Sequence, residues 1–366
     1  MRVLQIIYES YGNPFGFGGA GIRAYEIYKR LKERHEITLL CMRYPGAKDG
    51  EIEGLRHIFV GAESNSLTRS VLAYTLKASQ FVRRCGKEFD VIIENFLPST
   101  PFFTIFITKS PVVLQVQDFW GRHTFSRFPI HLAIPMSITE RYYPKLYNRF
   151  IFVSEVTRAQ FSLGGDSVVI PNGIDQKLLE LDPKPKDYVL FISSIDLYKK
   201  GLDVLLKAFE RVSQGHPNVS LFIAGTGRDI ERVKAMAGQS PVSEKVRFLG
   251  WLSGEQKARY ISESLFTVLP SRHESQPISI IEAAACGKAV LVSDIEELGF
   301  VKKNGFGLTF KSGSADDLAK QLATLLEDPH LRERLGNAGR KYASAFTWDK
   351  IAVQFESYLG QAAIRS

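Results

Sequence analysis

Glu274 and Glu282 stand on either side of a proline in the stretch RHESQPISIIEAAACG, residues 272–287. Pro277 suits the first turn of a helix and Gly287 suits its end, so the stretch predicts a helix near 278–286. The N–H groups of Ile278 and Ser279 at such a start have no partner inside the helix, and they favour an anion. Glu282, one turn in, can accept both hydroxyls of a ribose, each charged hydrogen bond being worth about 1.5–3 kcal/mol. Glu274 precedes the helix. Two arbitrary glutamates fit a solvated loop and a helix surface better than a binding site, so these two gain meaning only from their neighbours.

Two further stretches carry compatible chemistry. Lys200 follows IDLYK's strand-side run and precedes Gly201, where a lysine can neutralise a diphosphate as a point charge. In FGFGGAG, residues 15–21, Gly18 and Gly19 come just before a helical pattern, so backbone N–H groups there can approach a phosphate. Each signal alone is weak, because solvated lysines and glycine turns are common. QDFWGRHTF, residues 117–125, is aromatic and basic and suits either an acceptor loop or packing; His273 beside Glu274 suits either a donor contact or a structural role.

These residues need elements to position them. Short apolar runs such as RVLQIIY (2–8), EITLLCM (36–42), DVIIENF (90–96), PVVLQVQD (111–118) and RFIFVS (149–154) alternate with helical patterns. AGIRAYEIYKRLKER, residues 20–34, places Ala24, Ile27, Tyr28 and Leu31 on one face. The pattern restarts with YVLFISS (188–194), VSLFIAG (219–225), VRFLG (246–250), LFTVLP (265–270), KAVLVSD (288–294) and GLTF (307–310). Continuously apolar strands between helices indicate parallel sheets covered on both faces. The expectation is α/β, with two Rossmann-like doubly wound domains facing across a cleft. Their expected bounds are 1–165 and 166–345, with 346–366 a helix packing back on the first domain. The apolar stretch NFLPSTPFFTIFITKSP, residues 95–111, reads as a buried helix, with a membrane-suited surface patch as the alternative.

Composition narrows the class. The chain has 366 residues, 45% of them hydrophobic and 23% charged, which fits a folded protein of two domains. No apolar run reaches the roughly 18 residues of a membrane span, and the first residues lack a signal-peptide layout. Cys41, Cys85 and Cys286 are widely spaced and form no disulfide or metal pattern, so a reduced, cytoplasmic setting is expected. Residues 1–165 hold 21 Lys and Arg against 14 Asp and Glu, leaving 26 against 25 for the rest, so +7 of the net +8 lies in the first half. That excess suits a solvated surface, an anionic lipid or a phosphate-bearing substrate; no nucleic-acid module is present.

Several blocks, in order, resemble the retaining glycosyltransferases of family 4, which have the GT-B fold. They are GG at 18–19, VVIPNGID at 168–175, KGLDVLLKAF at 200–209, LFIAGTG at 221–227, VRFLGWLS, FTVLPSRHES, and the glutamates Glu274 and Glu282 with seven residues between. The resemblance covers essentially the whole chain and is strongest over 167–295. It implies that the second domain binds a nucleotide-sugar such as a UDP- or GDP-sugar, with no other cofactor. Glu282 would hold the ribose and Lys200 the diphosphate, helped by N–H groups near Gly18, Gly19, Ile278 and Ser279, with Gly225 in the glycine loop. Glu274 would sit beside the donor sugar. The acceptor, a glycan or lipid-linked saccharide, would enter from the first domain. No Asp-x-Asp pair occurs, so lysine and helix N-termini rather than a metal would meet the diphosphate.

Two positions depart from the family pattern. Gln117, followed by Asp118, stands where a histidine is usual, and an amide cannot carry charge. Ser194, in FISSID, stands where a phosphate-binding arginine is usual, with Arg23 and Lys199 as candidate substitutes. The expected function is transfer of a sugar in cell-surface polysaccharide or glycoconjugate assembly, at the cytoplasm and peripherally on the inner face of an anionic membrane. The alternatives are a nucleotide-sugar-binding partner or regulator with degraded catalysis, and a soluble enzyme for small or storage-sugar acceptors.

Overall fold

The structure is a computed structural model that describes residues 1–182 and 184–364. The chain divides into two compact units, Met1–Asn172 with Trp348–Ser366, and Gly173–Thr347.

The first unit runs β1 (Arg2–Ile6), α1 (Gly19–Leu31), β2 (Glu36–Met42), β3 (Gly50–Ile52), β4 (Leu55–Val60), α2 (Leu67–Cys85), β5 (Val91–Asn95), α3 (Thr104–Ile107), β6 (Val112–Val116), α4 (His123–Arg127), α5 (Ile130–Tyr142), β7 (Arg149–Phe152), α6 (Glu155–Phe161) and β8 (Asp166–Val169). Its strands are ordered β3-β4-β2-β1-β5-β6-β7-β8. Only the β3–β4 edge pair is antiparallel among the described strands. The central strands are buried on both faces, which is why they read as unbroken apolar runs. Leu4, Leu40, Ile92, Leu114 and Phe150 pack on one face with Tyr74, Ala78 and Val82 of α2, and with Tyr143 and Tyr147. On α1, the expected stripe of Ala24, Ile27, Tyr28 and Leu31 is buried.

The second unit runs β9 (Tyr188–Ile192), α7 (Leu197–Lys200), α8 (Leu202–Val212), β10 (Ser220–Ala224), α9 (Ile230–Gly238), β11 (Val246–Gly250), α10 (Gly254–Ser262), β12 (Thr267–Leu269), α11 (Ile278–Ala285), β13 (Val290–Ser293), α12 (Gly299–Lys303), β14 (Gly307–Phe310), α13 (Ala315–Glu327) and α14 (Pro329–Ala343). Its strands are ordered β11-β10-β9-β12-β13-β14, paired in parallel. Both units are therefore Rossmann-like α/β layers. No described helix is long and apolar enough to cross a membrane.

The last helix, α15 (Trp348–Ile364), belongs to the first unit. It buries Ile351, Phe355 and Leu359. Tyr28 meets Phe355 edge-on at 5.8 Å, and Arg30 and His35 reach Asp349 and Glu356 at 2.9 and 2.7 Å.

Three features differ from the sequence expectation. Residues 166–169, expected to open the second domain, form β8 and pair with β7 in the first sheet. The units part after Asn172 and Thr347, not after 165 and 345. Within 95–111 the helix is only Thr104–Ile107, and Phe103 and Phe106 face solvent, so the expected buried helix is replaced by a single turn that buries Thr104 and half-buries Ile105 and Ile107.

Candidate active site

In open α/β sheets, ligands bind at the carboxyl ends of the strands, and the expected residues of the second unit lie there. After β9, Asp196 caps α7 by accepting from Lys199 N–H at 2.9 Å. Gly201 then turns the chain into α8 with φ +64°, and a Cβ there would lie 2.1 Å from the Pro270 carbonyl oxygen. This close passage, open only to glycine, carries Lys200 to the end of β12, where Glu274 waits. The Lys200 ammonium donates to Glu274 Oε1, and both side chains are buried, at 6% and 5% exposure. Ser271 Oγ donates to the same oxygen at 2.7 Å. Arg272 clasps the two loops together: its N–H reaches the Lys199 carbonyl at 2.8 Å and its guanidinium forks onto Asp203 at 2.8 and 2.7 Å.

Burial alone would push the Glu274 carboxyl up, but the charges of Lys200 and Lys199, with the Lys200 and Ser271 hydrogen bonds, hold it below the usual carboxylate range. Glu274 is thus an anion at neutral pH. The sequence assigned Lys200 to the diphosphate and Glu274 to the sugar as separate contacts. In the structure the two side chains form one buried pair.

Pro277 opens α11, and no side chain caps that helix start, where Ile278 and Ser279 lie. Glu282 sits on α11 at 7% exposure, not on a solvated surface. Its Oε1 accepts from Lys257 Nζ of α10 at 2.5 Å. Lys257 was not foreseen, because nothing in the sequence links it to an acid 25 residues on. Gly225 follows β10 with φ +133°, and a Cβ there would lie 1.9 Å from the Ser193 carbonyl oxygen. That contact sets Gly225 against the β9 end, beside the exposed Ser194. His273 is buried next to Glu274.

The first unit holds the remaining candidates. Glu9, unnoticed in the sequence, aims Oε2 at the start of α1 and accepts from Gly18 N–H at 2.9 Å and Gly21 N–H at 2.6 Å. Burial raises the Glu9 carboxyl, and the Gly18 and Gly21 N–H groups draw it partly back down. The phosphate role expected for Gly18 therefore needs correction, since its N–H is committed to a carboxylate; Gly19 is exposed. Arg23 is fully buried and donates to the Pro171 carbonyl at 2.7 Å and Asn172 Oδ1 at 3.2 Å, so it is no surface substitute for the missing phosphate arginine. Gln117, at the end of β6, donates to Asn95 Oδ1 at 2.9 Å. Asp118 Oδ1 accepts from Phe119 N–H at 3.1 Å. Buried Glu140 fixes the following turn through Trp120 and Gly121 N–H at 2.7 and 2.8 Å.

Glu94, another acid the sequence did not mark, is a fully buried hub. It accepts from Tyr143 Oη at 2.5 Å, Tyr147 Oη at 2.8 Å and the Thr104 hydroxyl. Burial raises its carboxyl to about 7 despite these donors. A cavity of about 450 Å³ lies at the opposite, amino ends of β1 and β2, near Arg2, Lys32 and His35. It contains none of the expected residues, and strand topology places ligands at the other end.

Comparison with known proteins identifies the fold and the family. The family described as Glycosyltransferase Family 4 matches residues 17–178, and the family described as Glycosyl transferases group 1 matches residues 176–342. A phosphatidyl-myo-inositol mannosyltransferase of Mycobacterium leprae is 30% identical over 279 residues, covering 73% of this chain and 72% of the relative. A glycogen synthase of Mycobacterium tuberculosis is 29% identical over 390 residues, covering 96% and 92%. Among solved structures, the sucrose-phosphate synthase of Thermosynechococcus elongatus matches with TM-score 0.81 at 20% identity over 100% of both chains. Anabaena HepE in complex with UDP-glucose matches with TM-score 0.76 at 19% identity, covering 99% of this chain and 100% of that one. The fold is that of the GT-B enzymes. The chain belongs to glycosyltransferase family 4 and is a glycosyltransferase.

Proposed function

We propose that the chain moves a sugar from a nucleotide-sugar to a glycan or lipid-linked acceptor, with retention of anomeric configuration and without a metal ion. The reaction would serve cell-surface polysaccharide or glycoconjugate assembly on the cytosolic side of a membrane. One observation carries the reading. The buried Lys200–Glu274 pair stands immediately before α11, whose start no side chain caps and whose first turns hold Glu282. A cation, an anion and the N–H groups of a helix start at one strand end suit a ligand that carries a diphosphate, a sugar and a ribose. The similar HepE structure contains UDP-glucose, and the mannosyltransferase relative is named for a phosphoinositide acceptor.

Breaking the glycosyl–phosphate bond places negative charge on the leaving diphosphate and positive charge on the anomeric carbon. Lys200 and the N–H groups of Ile278 and Ser279 would stabilise the first; one such preorganised donor is worth about 2.7–4 kcal/mol. Glu274, kept ionised by Lys200, would stand beside the developing cation. The leaving phosphate oxygen would take the acceptor proton on the face it vacates. Glu282 would exchange its Lys257 contact for the ribose hydroxyls, or share it.

The test is thermal stabilisation by UDP-, GDP-, ADP- and dTDP-sugars, with Glu282→Ala alongside. Ligand at 100 times its dissociation constant adds about 2.7 kcal/mol. Stabilisation by one nucleotide class that disappears in the variant is the expected result; stabilisation by none sinks the reading. A second reading, a nucleotide-sugar-binding regulator with degraded catalysis, draws on Ser194 and on Gln117, whose amide is engaged with Asn95. Transfer that is abolished by Glu274→Ala would exclude it.

A further inference from the structure

Among the described residues, twelve of the fifteen exposed large apolar side chains lie between Leu67 and Leu146. Exposed apolar groups scattered singly need no explanation, but a concentration of this kind marks an interaction face. The face has three parts. On α2, Leu72 and Leu76 are 60% and 67% exposed, on the side opposite the buried Tyr74, Ala78 and Val82. At α3, Phe106 is 67% exposed and Phe103 stands beside it. Along α5, Ile130, Ile134 and Ile138 face out, and only Ala133 and Glu140 are buried.

The parts are linked through the core beneath them. Ser79 of α2 donates to the Phe102 carbonyl at 3.0 Å. Phe103 N–H donates to Tyr143 Oη at 2.8 Å, and Tyr143 directly follows α5. Tyr74 of α2, Phe102 and Tyr143 share one core on the same side of the sheet.

The exposed charges carried by α2 itself and by the end of α5 have one sign. Arg69, Lys77, Arg83 and Arg84 of α2 are all exposed, and α2 contains no acid. Arg141 and Lys145 lie within 6.0 and 5.1 Å of the exposed Tyr142 ring. The acid of α5, Glu140, is buried and spent on Trp120 and Gly121. The exposed acids Glu88 and Asp90 lie beyond the end of α2, Glu88 facing the Arg2 guanidinium at 3.5 Å and Asp90 accepting from the Arg2 backbone N–H at 2.7 Å.

We propose that the outer side of α2, α3 and α5 docks on an anionic lipid surface, its apolar side chains entering the interface and its arginines and lysines meeting the headgroups. The exposed side chains stand out singly from three separate helices and are flanked by arginines and lysines, which suits a fluid anionic surface better than a protein with fixed pockets. The proposal gives the membrane-side acceptor reading a physical surface and rests on it only for its purpose. Binding is measured without donor, acceptor or turnover, so either can fail alone.

The experiment is co-sedimentation of the full chain with vesicles of phosphatidylcholine alone and of phosphatidylcholine with phosphatidylglycerol. The variants are Leu72→Ser with Leu76→Ser, Ile134→Ser with Ile138→Ser, and Arg83→Ser with Arg84→Ser. Val353→Ser, an exposed apolar site on α15, is the control. Unchanged melting temperature shows that each variant folds. The expected result is binding to the anionic vesicles, lowered by added salt and lowered about tenfold or more by the paired variants. Binding to neither vesicle, or binding that none of the pairs alters, overturns the proposal. So does a dimer seen by light scattering that the leucine pair dissolves while vesicles remain unbound, since the face would then belong to a second copy.

Discussion

Replacing Lys200 by Met tests the centre of the site. The two side chains of the Lys200–Glu274 pair are 6% and 5% exposed, so the substitution leaves a carboxylate in a place that water barely reaches. Removing one partner of a buried ion pair costs about 3–5 kcal/mol. The Ser271 hydrogen bond and the Lys199 charge remain and offset part of that, so a loss of about 3 kcal/mol is expected by urea unfolding at neutral pH. The pH profile gives an independent check. In the native chain the Glu274 carboxyl is held below the usual range, so its stabilisation is present above the unfolded value and is lost as pH falls. In the variant, burial is unopposed by Lys200 and the carboxyl moves up. Its contribution is then full at low pH and lost as pH rises. The two profiles should slope in opposite senses. Lys200→Met with Glu274→Leu should recover much of the loss, because the uncompensated charge is gone. A Lys200→Met loss under about 1 kcal/mol, with the native slope retained, would mean that the pair does not form as described.

Glu94 predicts a separate pH effect. Its carboxyl lies at about 7 against an ordinary 4.5, so its share of stability is complete below 4.5 and is lost as pH rises through 7. The difference of about 2.5 units corresponds to about 3 kcal/mol, and Glu94→Gln should flatten that part of the stability curve. Gly225→Ala should cost at least about 2 kcal/mol by thermal unfolding, since the backbone is left-handed there and the added methyl meets the Ser193 carbonyl. Glu9→Ala should lower stability by about 1–2 kcal/mol, as loss of a helix N-terminal acceptor does, measured by urea titration.

Much of the scaffold was readable because of its chemistry. The buried parallel strands are unbroken apolar runs, and Pro277 and Gly287 bracket α11 as start and stop signals do. What the sequence hid has physical reasons. Helix α5 contains Pro135 and places apolar groups on its exposed side, so no polar face announces it. Strand β8 is four half-buried residues at a sheet edge, too faint to assign to either domain. Within the site, residue types were legible but partnerships were not. Lys200 with Glu274 and Lys257 with Glu282 meet only through packing across 74 and 25 residues. Glu9 was invisible because a lone loop acid carries no pattern until a helix start lies against it.

The placement of α15 bears on how the chain is made. Residues 1–172 leave the ribosome before the second unit, yet one face of their sheet includes a helix that is synthesised only after that unit. The second unit is continuous in sequence and can complete itself while α1 still lacks its cover. During that interval the contact surface of Tyr28 is bare, and a nascent chain is most open to aggregation in such a state. A truncation after Thr347 would make the interval permanent, leaving a finished second unit attached to a first unit that never closes.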